Sequence, residues 1–269
     1  MKRIFKFKML FLALVATLCL QSCKKEDASL TSKMFLQESI SKYLGIPVEA
    51  RGGGISIQST SGFGKNPKGY VVNSSLKKDK IYEHLEIDGI SIPAFGPNNF
   101  SGFDDRLARI FGKTVTVTLG QDTTRGAQLR DAPTSQTINV PPDLYVSAGG
   151  GSGGGGGDGG RGGVIPRTQE LTWNGQPSGN VLILICFEPN SAWNDDFSSY
   201  PRVMRYLEVR DNGFYRLGES NFADIPTGAV VDVIVVRGST ALIGGSANGQ
   251  GAASLTAYSS ATLVTHIGN

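Results

Sequence analysis

The chain has 269 residues, 39% of them hydrophobic and 18% charged, with a formal net charge of +3. Lys2, Arg3, Lys6 and Lys8 lie within residues 1–22 without an accompanying acid, so the other 247 residues hold 22 bases against 23 acids and a net charge of −1. That balance leaves no basic stripe and excludes nucleic acid as an expected partner, and the length suits one large or two ordinary domains.

The four bases head an apolar run, Met9–Leu20, followed by Gln21, Ser22 and Cys23. A basic head, a short apolar run and small residues before a cut form a secretory signal. The run falls short of the ~20 residues a membrane-spanning helix needs. The ending Leu20-Gln21-Ser22-Cys23 resembles a bacterial lipobox. The resemblance implies cleavage before Cys23, a diacylglycerol on its sulfur and acylation of its new amino group. More than one acyl chain gives stable anchoring to a bilayer. Apart from this covalent lipid, no cofactor is expected. Lys25-Glu26-Asp27 is similar to the export signal of Bacteroidota lipoproteins, a Lys followed by two acids. That implies display on the outer face of the outer membrane; the plainer alternative is a solvated charged tether.

Residues 28–44 carry apolar side chains at 30, 34, 35, 40, 43 and 44, near helical spacing. A short amphipathic helix or a partly ordered tether is expected, ended by Gly45, Ile46 and Pro47 and packed against the first domain in preference to the bilayer surface. From residue 51 the pattern is β. Ile55–Ser59 alternates, Tyr70–Val72 is a short β-rich run, and Ile81–Ile92 alternates around a tight turn at Asp88-Gly89. Pro93–Gly102 reads as loop and Phe103–Phe111 as a short helix with Asp104 and Asp105 in its first turn. Lys113–Leu119 sorts valines from threonines, as a half-buried strand does. Gln136–Ser147 reads as two edge-type pieces broken by Pro141-Pro142.

Gly149–Gly163 is glycine at twelve of fifteen positions. Such a run cannot build a core, and without a following Gly-Lys-Ser/Thr it is no phosphate loop. A linker or exposed loop is expected. Beyond it, Glu170–Trp173, Val181–Phe187, Val203–Val209, Phe214–Leu217, Ala229–Val236, Ala241–Ile243 and Ser254–His266 read as strands, with Asp211-Asn212-Gly213 as a hairpin turn. The expected class is all-β: two antiparallel β-sandwich-like modules, a short N-terminal helix and a Gly-rich linker or loop. The expected division is a signal at 1–22, a lipidated tether with helix at 23–50, a β-rich domain at 51–148, the Gly-rich stretch at 149–163 and a sandwich-like domain at 164–269. Leu171-Thr172-Trp173-Asn174 and the apolar strand after it resemble modules in Bacteroidota lipoproteins of unassigned function, which carries no activity with it.

Catalytic chemistry finds little footing. Cys19 leaves with the signal, and Cys186 in an apolar run reads as a small buried hydrophobe. The imidazoles are His84 and His266. Glu83, Glu86, Asp88, Asp104 and Asp105 are carboxylates with no arguable pairing, since Glu83 and Glu86 fall on opposite faces of an alternating strand. Gly218-Glu219-Ser220-Asn221-Phe222 misses the nucleophile-elbow pattern. Asp195 and Asp196, with Asn190 and Asn194, lack the alternating spacing that wraps Ca²⁺; a solvated loop is expected and no metal is assigned. Trp193, Tyr200, Tyr206 and Tyr215 are the aromatic candidates for ligand contact. Trp193, Asp195, Asp196 and Tyr200 share the loop 189–200, where side chains tend to be exposed; the plainer expectation for the two aromatics is that they fold back as lids on the core. Trp173, on a strand, is expected in the core. The expected function is a non-catalytic binding or scaffold lipoprotein of the outer membrane. Its partners are the membrane, through the lipid, and a protein or glycan ligand. The alternatives are a glycan-binding lipoprotein in polysaccharide capture and an envelope hydrolase.

Overall fold

The computed structural model describes residues 35–47, 50, 53–62, 64–65, 69–76, 81–103, 105–120, 134–149, 163–176, 179–244 and 253–268. Cys23, Lys25, Glu26, Asp27, Asp104 and most of the Gly-rich stretch therefore lie outside the described residues. The protein is all-β and sandwich-like, with one short α-helix among the described residues, α1, at residues 35–43.

Three sheets are formed by the described residues. The large sheet runs in the order β12 (Val203–Arg210), β11 (Asn180–Phe187), β14 (Val230–Ile243), β15 (Ala253–Ile267), β1 (Gly54–Gly62), β2 (Gly69–Ser75) and β5 (Asn99–Phe103), with β9 (Val164–Ile165) beside the end of β15. A four-stranded sheet orders β4 (Ile90–Ile92), β3 (His84–Ile87), β6 (Thr114–Gly120) and β7 (Thr134–Asn139). A three-stranded sheet orders β13 (Phe214–Leu217), β10 (Gln169–Trp173) and β8 (Val146–Gly149). The two small sheets lie side by side on one face of the large one, and α1 lies on the other.

Each small sheet closes its own core. Leu85, Ile87, Val115 and Val117 of the four-stranded sheet pack on Ile55, Ile57, Val72 and Phe100 of the large one. Leu171, Trp173 and Leu217 of the three-stranded sheet pack on Ile183, Ile185, Val233 and Val235. The period-2 alternation of β6, β11 and β14 turns these residues to one face. The cores do not follow chain order. Ile243, Leu255 and Ala257 belong to the first, whereas Leu144 and Val146 belong to the second. The long β14–β15 hairpin, registered from Val230↔His266 to Ile243↔Ala253, supplies both.

The Asp88-Gly89 turn joins β3 to β4 as expected, with φ of 49° and 79° at its two residues. Five other expectations are corrected. First, Asp211-Asn212-Gly213 is not a hairpin turn: β12 pairs with β11, and β13 pairs with β10 in a different sheet. The Asp211 carboxylate is drawn inward to Arg237 and Trp173, so the chain turns a corner between sheets. Second, the stretch read as loop over 93–102 contains most of β5, which pairs antiparallel with β2. Third, the order is not wholly antiparallel, because β1 joins β15 in parallel from Gly54↔Ser254 to Gly62↔Thr262. Fourth, α1 does not pack on the first half alone. Leu36, Ile40 and Tyr43 meet Leu182, Leu184 and Val236 of β11 and β14. Fifth, the helix expected at 103–111 is a 3-10 turn, Asp105–Ile110, that buries Leu107 and Ile110.

Between the two cores the inner face of the large sheet carries one polar row. Arg237, Ser259, Ser59 and Tyr70 are consecutive cross-strand neighbours on β14, β15, β1 and β2. Acids from connecting segments cap it at both ends. Asp143 accepts from Ser59 Oγ at 2.7 Å and from Tyr70 Oη at 2.9 Å. Asp211 accepts from Arg237 Nε at 2.6 Å and from Trp173 Nε1 at 2.7 Å. Arg237 also donates from Nη2 to the Asn174 carbonyl at 2.5 Å. With side chains 5% and 1% exposed, Arg237 and Asp211 form a buried ion pair.

Candidate functional site: a groove between the helix and the sheet

The outer face of the large sheet is only partly covered by α1. Leu36, Ile40 and Leu44, spaced by four, form an apolar stripe along one side of the helix. Next to that stripe lies an open groove of about 620 Å³, floored by β15, β1 and β2. Ligand sites are clefts of roughly 300–1,000 Å³.

The floor follows from strand alternation. Ile55, Ile57 and Val72 point inward, so Gly54, Ser56, Gln58, Asn73 and Ser75 point out. The registers set Thr256, Ser56 and Asn73 in one row, with Ser101 of β5 beyond. Ser254, Gly54 and Ser75 form the next row, and Tyr258 lies beside Gln58 in the third. A Cβ at Gly54 would run into the Ser254 backbone, so glycine keeps β1 and β15 closely apposed there. Where α1 ends, a Cβ at Gly238 would come within 2.6 Å of Leu44 Cδ2 and 2.9 Å of Tyr258 Cβ. The missing side chain lets the helix end seat on the sheet.

The polar groups of the floor are partly used. Ser101 Oγ donates to Asn73 Oδ1 at 2.9 Å, which leaves the Asn73 amide NH₂ as a donor. Gln58 Nε2 donates to Ser56 Oγ at 2.5 Å, which leaves the Gln58 carbonyl as an acceptor. Thr256 Oγ1 donates to the Ile55 carbonyl at 3.3 Å. Burial pushes the Tyr258 hydroxyl up to about 12, so it keeps its proton at neutral pH. On the far flank of the helix, Tyr43 Oη donates to the Asn180 carbonyl at 2.5 Å, and Lys42 Nζ sits 5.1 Å from the centre of the Tyr206 ring.

The loop 189–200 places the residues predicted for ligand contact elsewhere. Trp193 is 61% and Tyr200 46% exposed, and Tyr200 meets Phe197 edge-on at 6.0 Å between ring centres. Asp195 and Asp196 occupy the 3-10 turn Asp195–Phe197. Asn194 is the structural clasp of the loop. It is buried, donates from Nδ2 to the carbonyls of Glu188 and Val230, and accepts from the Val230 N–H. Trp173 is buried in the second core, as its strand position predicts. Cys186 faces outward beside Asp232, its cross-strand neighbour, and burial pushes its thiol up to about 12. Among the described residues no group of three His, Cys, Asp or Glu is placed to hold a metal ion.

Sequence reading missed the groove. Its signal was present: β1, β2 and β5 contain no Asp, Glu, Lys or Arg, in a chain with 18% charged residues. Pattern reading sorted the buried positions of those strands and treated the polar ones as solvent-facing. Compared with known proteins, the chain matches no family model and no curated protein.

Proposed function

We propose that this chain is a lipoprotein of the outer membrane, held by acyl chains on Cys23, and that it serves there as a non-catalytic binding or scaffold component facing outward. The observation that carries the binding part is the groove beside α1. Its lining is Ser, Thr, Asn, Gln and Tyr over an aliphatic wall. Such groups hold a ligand by hydrogen bonds and apolar contact, which is the chemistry of recognition. The anchoring part rests on the signal-like start, the Leu20-Gln21-Ser22-Cys23 ending and the Lys25-Glu26-Asp27 run. A chain extends by at most about 3.3–3.6 Å per residue. Residue 35 of α1 therefore stands no more than roughly 40 Å from Cys23 along the backbone, which keeps the groove close to the bilayer surface.

Protease treatment of intact cells, with detection of the region 164–269, tests the placement beside a Cys23→Ala control. Cleavage on intact cells and release of the Cys23→Ala protein from membranes are the expected results. Protection until the outer membrane is opened would turn the protein inward and remove the export role of Lys25-Glu26-Asp27. A Cys23→Ala protein that still partitions with membranes would sink the lipid anchor.

A further inference from the structure

The outer face of the large sheet divides along α1 into two kinds of surface. On the β12 side the outward residues include Glu208 and Arg210, and Asp232 follows on β14. On the other side, β1, β2 and β5 present only uncharged side chains. We propose that the groove on this uncharged side binds a short neutral oligosaccharide. This rests on the binding reading above and names its ligand class.

Three observations select that class. The first is charge. Among the described residues no Asp, Glu, Lys or Arg lines the groove, so an ionised ligand would lose hydration there without gaining a counter-charge, a costly transfer. The second is the bonding pattern. The floor offers a donor at the Asn73 amide and an acceptor at the Gln58 carbonyl, beside hydroxyls that do both. Sugar hydroxyls also donate and accept, and they match such a mixed row. The third is shape. The row Thr256–Ser56–Asn73 crosses three strands, about 10 Å at the usual strand spacing, with the Leu36–Ile40–Leu44 stripe beside it. A disaccharide or trisaccharide can lay its hydroxyls along that row and a C–H face against the stripe. An extended peptide fits less well. β15, β1 and β2 have their backbone groups paired with neighbours, so the floor has none left for strand addition.

The test uses the full chain purified in detergent. Its probes are a panel of neutral glycans (dextran, laminarin, mannan, xylan and cello-oligosaccharides) and acidic ones (polygalacturonate, hyaluronan and heparin). Affinity electrophoresis and calorimetry would read binding. At least one neutral glycan should bind, with little change from low to high salt. Gln58→Ala and Asn73→Ala should each weaken it about fivefold, the scale of one hydrogen bond, and Trp193→Ala should leave it unchanged. Ser75→Trp, at an exposed floor position, should block the groove and abolish binding; it serves as the second variant if Asn73→Ala melts early. Retention of acidic glycans alone, of no glycan, or loss in Trp193→Ala with Gln58→Ala intact would overturn the assignment. Outward placement in the protease experiment without neutral-glycan binding removes the oligosaccharide alone, whereas inward placement with neutral-glycan binding removes the outward-facing role and keeps the groove.

Discussion

The two cores of this protein rest on one sheet and differ in how they are closed. The first is covered by two pairs of strands, each pair consecutive in the chain: β3 with β4 as a tight hairpin and, after the large sheet's β5, β6 with β7. The second is covered by three strands gathered from distant places, β8, β10 and β13, none of which pairs with its neighbour in sequence. Local pairing assembles the first lid. The second depends on the polar row, because Asp211 stands between β12 and β13 and fixes the corner where the chain leaves one sheet for the other. The lesson is that the row is a joint: it separates the apolar clusters and also positions the lid of one of them.

The largest effect is expected at that joint. Asp211→Ala leaves the Arg237 guanidinium buried without its partner and should destabilise the fold by about 3–5 kcal/mol. Denaturant unfolding measures this. The double variant Asp211→Leu/Arg237→Met should lose much less, since replacing a whole buried pair by apolar groups is often near neutral. Truncations in the cores come next. Leu85→Ala in the first and Ile183→Ala in the second, both fully buried, should each cost about 2–5 kcal/mol. Followed with separate probes, the variants ask whether the cores melt as one unit; a second transition appearing only in Asp211→Ala would identify the row as the coupling element. Asp143→Ala removes an acceptor shared by Ser59 and Tyr70 and should cost about 1–3 kcal/mol. Opposed melting shifts for Asp143→Ala and Tyr70→Phe would break that account.

Smaller effects concern the outer face. Burial raises the Asp232 carboxyl above its usual value of 3.8. The folded state then binds a proton more tightly than the unfolded chain. The resulting contribution to stability is present below pH 3.8 and is lost as pH rises through the folded value. Asp232→Asn should therefore melt slightly higher than the parent at neutral pH, with the difference closing in acid. Cys186, its thiol pushed up to about 12, should react slowly with iodoacetamide at pH 8 and readily after unfolding. Fast labelling of the folded protein would contradict its burial.

Much of the fold is legible in short stretches of the sequence. Valine–threonine alternation marked β6, the continuous apolar run marked β11, and Asp88-Gly89 marked a hairpin, because each signal acts over a few neighbouring residues. Misreadings arose where a distant partner outweighed the local signal. Asp211-Asn212-Gly213 has hairpin chemistry, but Arg237 and Trp173 claim its carboxylate. β5 looks like loop because Asn99, Ser101 and Gly102 are poor strand formers, and pairing with β2 overrides that preference. The loop 189–200 was located, but Trp193 and Tyr200 are exposed rather than folded back as lids, and Phe197 is the loop aromatic that packs on the second core. The groove was not found, because it needs α1, β15, β1 and β2 together, and no segment of sequence contains that meeting.

The strand that comes last among the described elements, β15, sits in the middle of the large sheet, between β14 and β1. Its partnership with β1 joins residues 200 positions apart, such as Gly54 and Ser254. Closing so wide a loop costs entropy before the pairing rewards it, which slows folding. During synthesis, neither core can be completed until residues 253–267 have emerged. β1 and β2 must wait with one edge open, exposed to unwanted pairing. Those strands carry serine, threonine and asparagine on their outward face, which keeps the waiting edge soluble. A sheet whose central strand arrives this late stays open, and its neighbours stay unpaired on that side, through most of the chain's synthesis.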